Sequence, residues 1–290
     1  MGADANPPLP SLTRLSGLLA EWEADAAARH EAHRNGTPLG PVTGLPKSDR
    51  ELGGALPPGL HIVHAMPGAG KTALCLQIGA SCGCPCLLLT CEMAPLELLR
   101  RITARVTGTY LGRFKTGELT PAESLSLAER AAAACPDLWL LDGTRAYVTA
   151  ADLRERAERV KGTAEHLLVM VDSVHSWADA CGSEASEYET LNAHLAKLRA
   201  LASGLNCAVL AVAERNRASM KDGGLSAGAG SRKLEYGAVS LWDLKREADA
   251  KEDIEGEVPL TLFFVKNRNG APGKAVEMRF CGRLQRFREA

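Results

Sequence analysis

The stretch "LHIVHAMPGAGKT", residues 60–72, constrains this chain more than any other. An apolar run of strand length meets a turn containing Gly68 and Gly70, then opens into the helical pattern "KTALCLQIGASC". Strand, glycine turn and helix in that order are the context a phosphate-binding loop requires. The two glycines let the backbone point its N–H groups at an anion, and the helix starting near Lys71 adds the positive end of its dipole. Lys71 is then placed for the β- and γ-phosphates of ATP, and Thr72 for Mg2+ through its hydroxyl. We read Pro67, Gly68, Ala69, Gly70, Lys71, Thr72 and Ala73 as the nucleotide cradle. Ala65 stands where such loops usually begin with Gly, a position that asks only for a small side chain.

From Leu60 onward, short apolar runs alternate with helical patterns. "LHIVHA", "CLLLT", "LWLLD", "HLLVMVD" and "CAVLAVA" read as strands, with amphipathic segments between them. Strands apolar on both faces and separated by helices predict an α/β fold, a mostly parallel sheet covered on both sides. After Ala213 a Gly-rich stretch precedes "VSLWDL", "PLTLFFVK" and "AVEMRF" with little helix between them, so the sheet is expected to finish antiparallel. Upstream, Leu12, Leu15, Leu18, Leu19, Trp22 and Ala26 recur at helical spacing after a possible cap at Ser11. The organisation expected is an amphipathic helix within 1–36, a Gly- and Pro-rich linker over 37–58, and the nucleotide-binding domain over 59–290.

Composition narrows the partners. A net charge of −1 gives no bulk attraction to nucleic acid, and 4% aromatic residues leave few stacking platforms. Any such contact must be local. No apolar stretch is long enough to span a bilayer and no secretion signal is visible, so we expect a cytoplasmic protein without membrane contact. Nine scattered cysteines fit a reducing compartment. Cys82, Cys84, Cys86 and Cys91 raise a metal site as an alternative, but their spacing is not paired C-x-x-C and no second ligand pair stands out.

Open α/β sheets build their sites at the carboxyl ends of strands. Asp172 ends "HLLVMVD", where it could bind Mg2+, and Glu92 follows "CLLLTC", where it could orient or deprotonate an attacking water. Asp142 ends "LWLLD" in the same way; Asp172 is preferred because its strand is the more continuously apolar.

Taken in order, "GLHIVHAMPGAGKTALCLQIG", "LLLTCEM", "LLVMVDSVHSW", "AVAERNR" and "VKNRNGAPGKAVEMRFCGRLQRF" resemble the successive motifs of the DnaB-type replicative helicase motor domain, over residues 43–288. That resemblance implies a RecA-like P-loop NTPase core, a homo-oligomeric ring of six, and NTP hydrolysis coupled to movement along single-stranded DNA. It also implies roles: Lys71 and Thr72 for phosphate and magnesium, Glu92 as catalytic glutamate, Asp172 at the metal. Lys266 and Arg268 match the pair that reaches a neighbouring subunit's γ-phosphate.

The departures matter as well. The family's replicative members carry a helical domain that binds primase, whereas one helix precedes the motor motifs here, as in a stand-alone motor domain. Glu214 occupies the position of the family's γ-phosphate-sensing glutamine, an anion facing an anion unless a cation or proton intervenes. The first of the family's two DNA loops corresponds to "SWADACGSEASEYE", which lacks Lys and Arg. The second offers Arg217, Lys221, Arg232 and Lys233, as nucleic-acid contacts or as a solvated loop. The primary expectation is an ATPase that translocates on or unwinds DNA. The rival is a nucleotide-gated assembly or loader ATPase of a mobile element or defence system, acting on a protein partner.

Overall fold

A computed structural model of the chain describes residues 12–214, 237–246 and 250–290. It divides into two units, residues 1–39 and 40–290. In the first, a 3-10 turn at Leu15–Leu18 leads into α1 (Leu19–Asn35), which ends on Gly36 at φ 65° with its N–H returned to Ala32 and His33. None of its residues is buried, and Leu12, Leu15, Leu19 and Trp22 are exposed. Ser11 lies outside the described residues; the residue before α1 is Leu18, whose side chain caps nothing.

The second unit begins with α2 (Pro46–Glu51) and proceeds through β1 (Gly59–Ala65), α3 (Lys71–Gly79), β2 (Cys86–Thr90), α4 (Pro95–Thr107), α5 (Arg113–Thr116) and α6 (Pro121–Ala134). It continues with β3 (Leu138–Asp142), α7 (Ala150–Lys161), β4 (Leu168–Asp172), α8 (Val174–Asp179), α9 (Glu187–Leu205) and β5 (Ala208–Glu214). The last described elements are β6 (Ser240–Arg246), β7 (Glu257–Asn267), β8 (Lys274–Cys281) and β9 (Arg286–Glu289). Helix starts follow local chemistry. Thr120 with Glu123, Thr149 with Asp152 and Ser186 with Glu189 each form a reciprocal capping box.

The described strands form one sheet in the order β3-β2-β4-β5-β1-β6-β7-β8-β9. Pairing is parallel from β3 through β6 and antiparallel from β6 through β9. The expected antiparallel finish holds for β7 to β9. β6 differs: it lies parallel to β1, with His61 opposite Ser240. β9 is too short to have announced itself in the sequence.

Alternation along each strand feeds two cores. Val63, Leu88, Met170, Leu210 and Trp242 point to the face covered by α3 and α4. Ile62, Leu89, Val171, Val209 and Leu241 point to the face covered by α7, α8 and α9. This burial on both faces is why the strands read as continuous apolar runs.

The linker expected over 37–58 is corrected. Leu45, Leu52 and Leu56 are buried in the first core. Val42 N–H donates to Cys82 O, Leu56 N–H to Pro41 O, and Ser48 N–H to Glu289 Oε1. Gly and Pro shape turns in this segment, but its leucines pay for ordering it by leaving water. Among the described residues, no helix is long and apolar enough to cross a membrane.

Candidate nucleotide site

The parallel strands β3, β2, β4, β5 and β1 all point their carboxyl ends to one edge, and register aligns what stands there. Thr90 lies opposite Asp142 on one side and Asp172 on the other, and Ala65 lies opposite Glu214. Beyond Ala65 the chain turns through Gly68 (φ 80°) and Gly70 (φ 90°), left-handed conformations that favour glycine. Gly70 is doubly required, since a Cβ there would come within 2.9 Å of Phe287 and 3.0 Å of Phe280. Those two rings stack at 4.4 Å and back the loop from the antiparallel end of the sheet.

Lys71 opens α3, and its ammonium lies 3.3 Å from Glu214 Oε1. The cation that relieves the Glu214 carboxylate is therefore the loop lysine itself. Asp172 is buried beside it; desolvation raises its pKa to about 6, opposed by a hydrogen bond with the Thr72 side chain and reinforced by the charge of Glu92. Glu92 is exposed and held by Ser176 Oγ, which donates to Oε1 at 2.8 Å. Ser176 also hydrogen-bonds Ser173 Oγ, the cap of α8, at 3.0 Å. The Glu214 N–H donates to His175 Nδ1 at 3.2 Å, and burial lowers the pKa of that imidazole.

The structure thus brings together Gly68, Gly70, Lys71, Thr72, Glu92, Asp172 and Glu214. It keeps Asp142 apart. Asp142 ends the edge strand, accepts from Thr144 N–H and Oγ1 at 2.9 and 2.6 Å, and serves a local turn. Lys266 and Arg268 lie elsewhere: Lys266 pairs with Leu241 on β6, and Arg268 N–H donates to Val239 O, whose own N–H donates to Leu60 O. Leu60 is at the opposite end of β1 from Ala65, roughly 16 Å along the strand. Arg217, Lys221, Arg232 and Lys233 fall outside the described residues.

Ser173, His175 and Ser176 were not singled out from sequence. Their one legible signal is the serine pair three apart after "VMVD", a helix-cap pattern. The acidic first loop has a local explanation too: Glu187 and Glu189 sit in the first turn of α9, where the helix dipole favours them. Three of the four cysteines converge, with the Cys82 sulfur 3.9 Å from that of Cys84 and in side-chain contact with Cys86, whereas Cys91 follows the other end of β2. No cluster of three or more His, Cys, Asp or Glu suited to a metal occurs among the described residues.

A Mg2+ ion carried with a nucleotide needs no such cluster, because phosphates and waters supply most of its oxygens. The Thr72 hydroxyl and Asp172 carboxylate are hard oxygen donors in contact with one another, and they fit that ion.

A glycine loop closing onto a helix start, with a buried carboxylate on a nearby strand of a parallel sheet, defines a P-loop nucleotide-binding domain. More narrowly, the chain belongs to the DnaB-like helicase C-terminal domain family, whose profile matches residues 40–289. It is 25% identical over 264 residues to the replicative DNA helicase DnaB of Leifsonia xyli subsp. xyli, and 24% over 263 residues to that of Geobacillus stearothermophilus. Each alignment covers 88% of this chain but only 57% and 58% of the relatives. Among solved structures, the ATPase domain of G40P superposes with a TM-score of 0.77 at 18% identity, covering 92% of this chain and 98% of that one. A DnaB-like replicative helicase described with its interactions with primase gives the same TM-score and identity, covering 93% and 67%. The fold is RecA-like.

Proposed function

We propose that this domain is an ATP-hydrolysing motor of the DnaB type that works as an oligomeric ring and moves along DNA. The observation carrying the reading is the separation of its parts. The phosphate loop, Glu92 and Asp172 gather at one edge of the sheet, while Arg268 stands toward the far end of β1 and Lys266 is level with Ile62, midway along it. A second copy is what would bring the two halves together.

In this reading the loop N–H groups and Lys71 hold the phosphates, and Thr72 with Asp172 would hold Mg2+, which supplies charge neutralisation at the phosphate oxygens. Glu92, oriented by Ser176, takes a proton from the attacking water. Lys266 and Arg268 of the neighbouring copy face the charge that develops on the transferred phosphoryl group, a contribution of about 10³ to 10⁵ in rate for such cations. The basic residues Arg217, Lys221, Arg232 and Lys233 are the candidate contacts to single-stranded DNA.

The rival reading, an assembly or loader ATPase without unwinding, draws support from Glu214 in place of a glutamine and from the absence of Lys and Arg in residues 176–189. ATPase turnover with and without single-stranded DNA, read beside the mass in solution, separates the two. Stimulation by DNA in a ring-sized particle supports the motor. An ATPase indifferent to DNA supports the rival.

A further inference from the structure

Glu214 is built into the loop from two sides. Register sets it against Ala65, the residue from which the loop departs, and its N–H is held by His175 Nδ1 at 3.2 Å. Burial keeps the His175 imidazole neutral and so able to accept that bond. From this anchored position the carboxylate engages Lys71 Nζ at 3.3 Å, and the lysine side chain is only 10% exposed. The ammonium available to bind phosphate is thus already neutralised by a carboxylate of its own chain.

We propose that Glu214 is a specificity residue that competes with the nucleotide for Lys71 and holds down affinity for the triphosphate relative to the diphosphate. This rests on reading the loop as a nucleotide site. An incoming phosphate must either displace the carboxylate from Lys71 or bind beside it, and both cost free energy through lost attraction or like-charge repulsion. The cost grows with ligand charge, so it falls harder on a nucleoside triphosphate than on a diphosphate. Glu214 is half-exposed, so solvent and salt screen the effect to about tenfold rather than several hundredfold.

The test is equilibrium binding of fluorescent ATP and ADP with Mg2+ to the full chain, its Glu214→Gln and Glu214→Ala variants, and Lys71→Ala. Both Glu214 variants are expected to tighten ATP about tenfold and ADP less, so that the ATP-to-ADP affinity ratio rises. A gain in affinity cannot come from a damaged fold. If Lys71→Ala weakens binding but both Glu214 variants keep the parent ratio, the competition is refuted while the nucleotide site stands. If the parent binds neither nucleotide, or binds as well without Lys71, the site reading falls and this inference falls with it.

Discussion

Lys71 and Glu92 serve different steps in the proposed chemistry, and substitution separates them. Glu92→Gln leaves the loop, Lys71, Thr72 and Asp172 in place, so nucleotide binding is expected to persist while turnover falls by about 10² or more. Lys71→Ala is expected to lose both. Turnover at the parent rate in Glu92→Gln would remove Glu92 from the mechanism. A second residue, His61, links the sheet to pH. It is fully buried in β1, where Nε2–H donates to Pro57 O at 2.9 Å and Nδ1 accepts from Ser240 Oγ at 2.7 Å, itself a recipient from Trp242 Nε1. Burial lowers its pKa from 6.5 to about 4. The unfolded chain therefore takes up the proton first on acidification. Stability from this group is complete above pH 6.5 and drains away as pH falls toward about 4, a loss of about 3 kcal/mol. Urea unfolding of the parent and His61→Asn at pH 7 and pH 4.5 should show their difference narrowing with acid; a constant difference would exclude His61 as the source.

Two leucines of identical chemistry distinguish the elements. Leu56, just ahead of β1, is fully buried, so Leu56→Ala is expected to cost about 2 to 5 kcal/mol. Leu19 opens α1 and is 66% exposed, so Leu19→Ala should change unfolding of the isolated chain by about 0.5 kcal/mol or less. If α1 docks onto a second copy, Leu19→Ala combined with Trp22→Ala lowers the mass in solution instead. An unchanged mass would assign α1 another role. The contrast explains why the linker reading failed. Composition over 37–58 records turn-forming residues, whereas burial depends on Leu45, Leu52 and Leu56 finding α3 and the sheet. The apolar spacing from Leu12 to Ala26 was legible, but Leu12, Leu15 and Leu18 precede α1, so no single helix carries that face.

At the scale of the assembly, an active site shared between copies makes a prediction no single chain can. Arg268→Ala and Lys71→Ala should each be nearly inactive alone, and recover some turnover when mixed under conditions of subunit exchange. The chain carrying both substitutions, mixed with itself, offers no intact interface and should stay inactive. A fully active monomeric Arg268→Ala protein would sink the ring motor. Contact with DNA has its own signature: replacing Arg217 and Lys221 with Ala should weaken single-strand binding across sequences and flatten its salt dependence, while ATP binding persists.

The phosphate loop, the α/β alternation and most element positions were determined by sequence alone, because glycine dihedrals, helix caps and apolar periodicity act over a few neighbouring residues. What the tertiary structure decided depends on strand order, which local physics does not encode. β1 lies between β5 and β6, so Glu214 comes to face Lys71. β4 rather than the edge strand β3 approaches the loop, so Asp172 and not Asp142 meets Thr72. β6 runs parallel to β1 and β7 returns against it, which carries Arg268 toward the end of β1 opposite the phosphate loop. Each of these pairings joins residues far apart in sequence, and each exists only once the sheet has closed over both cores.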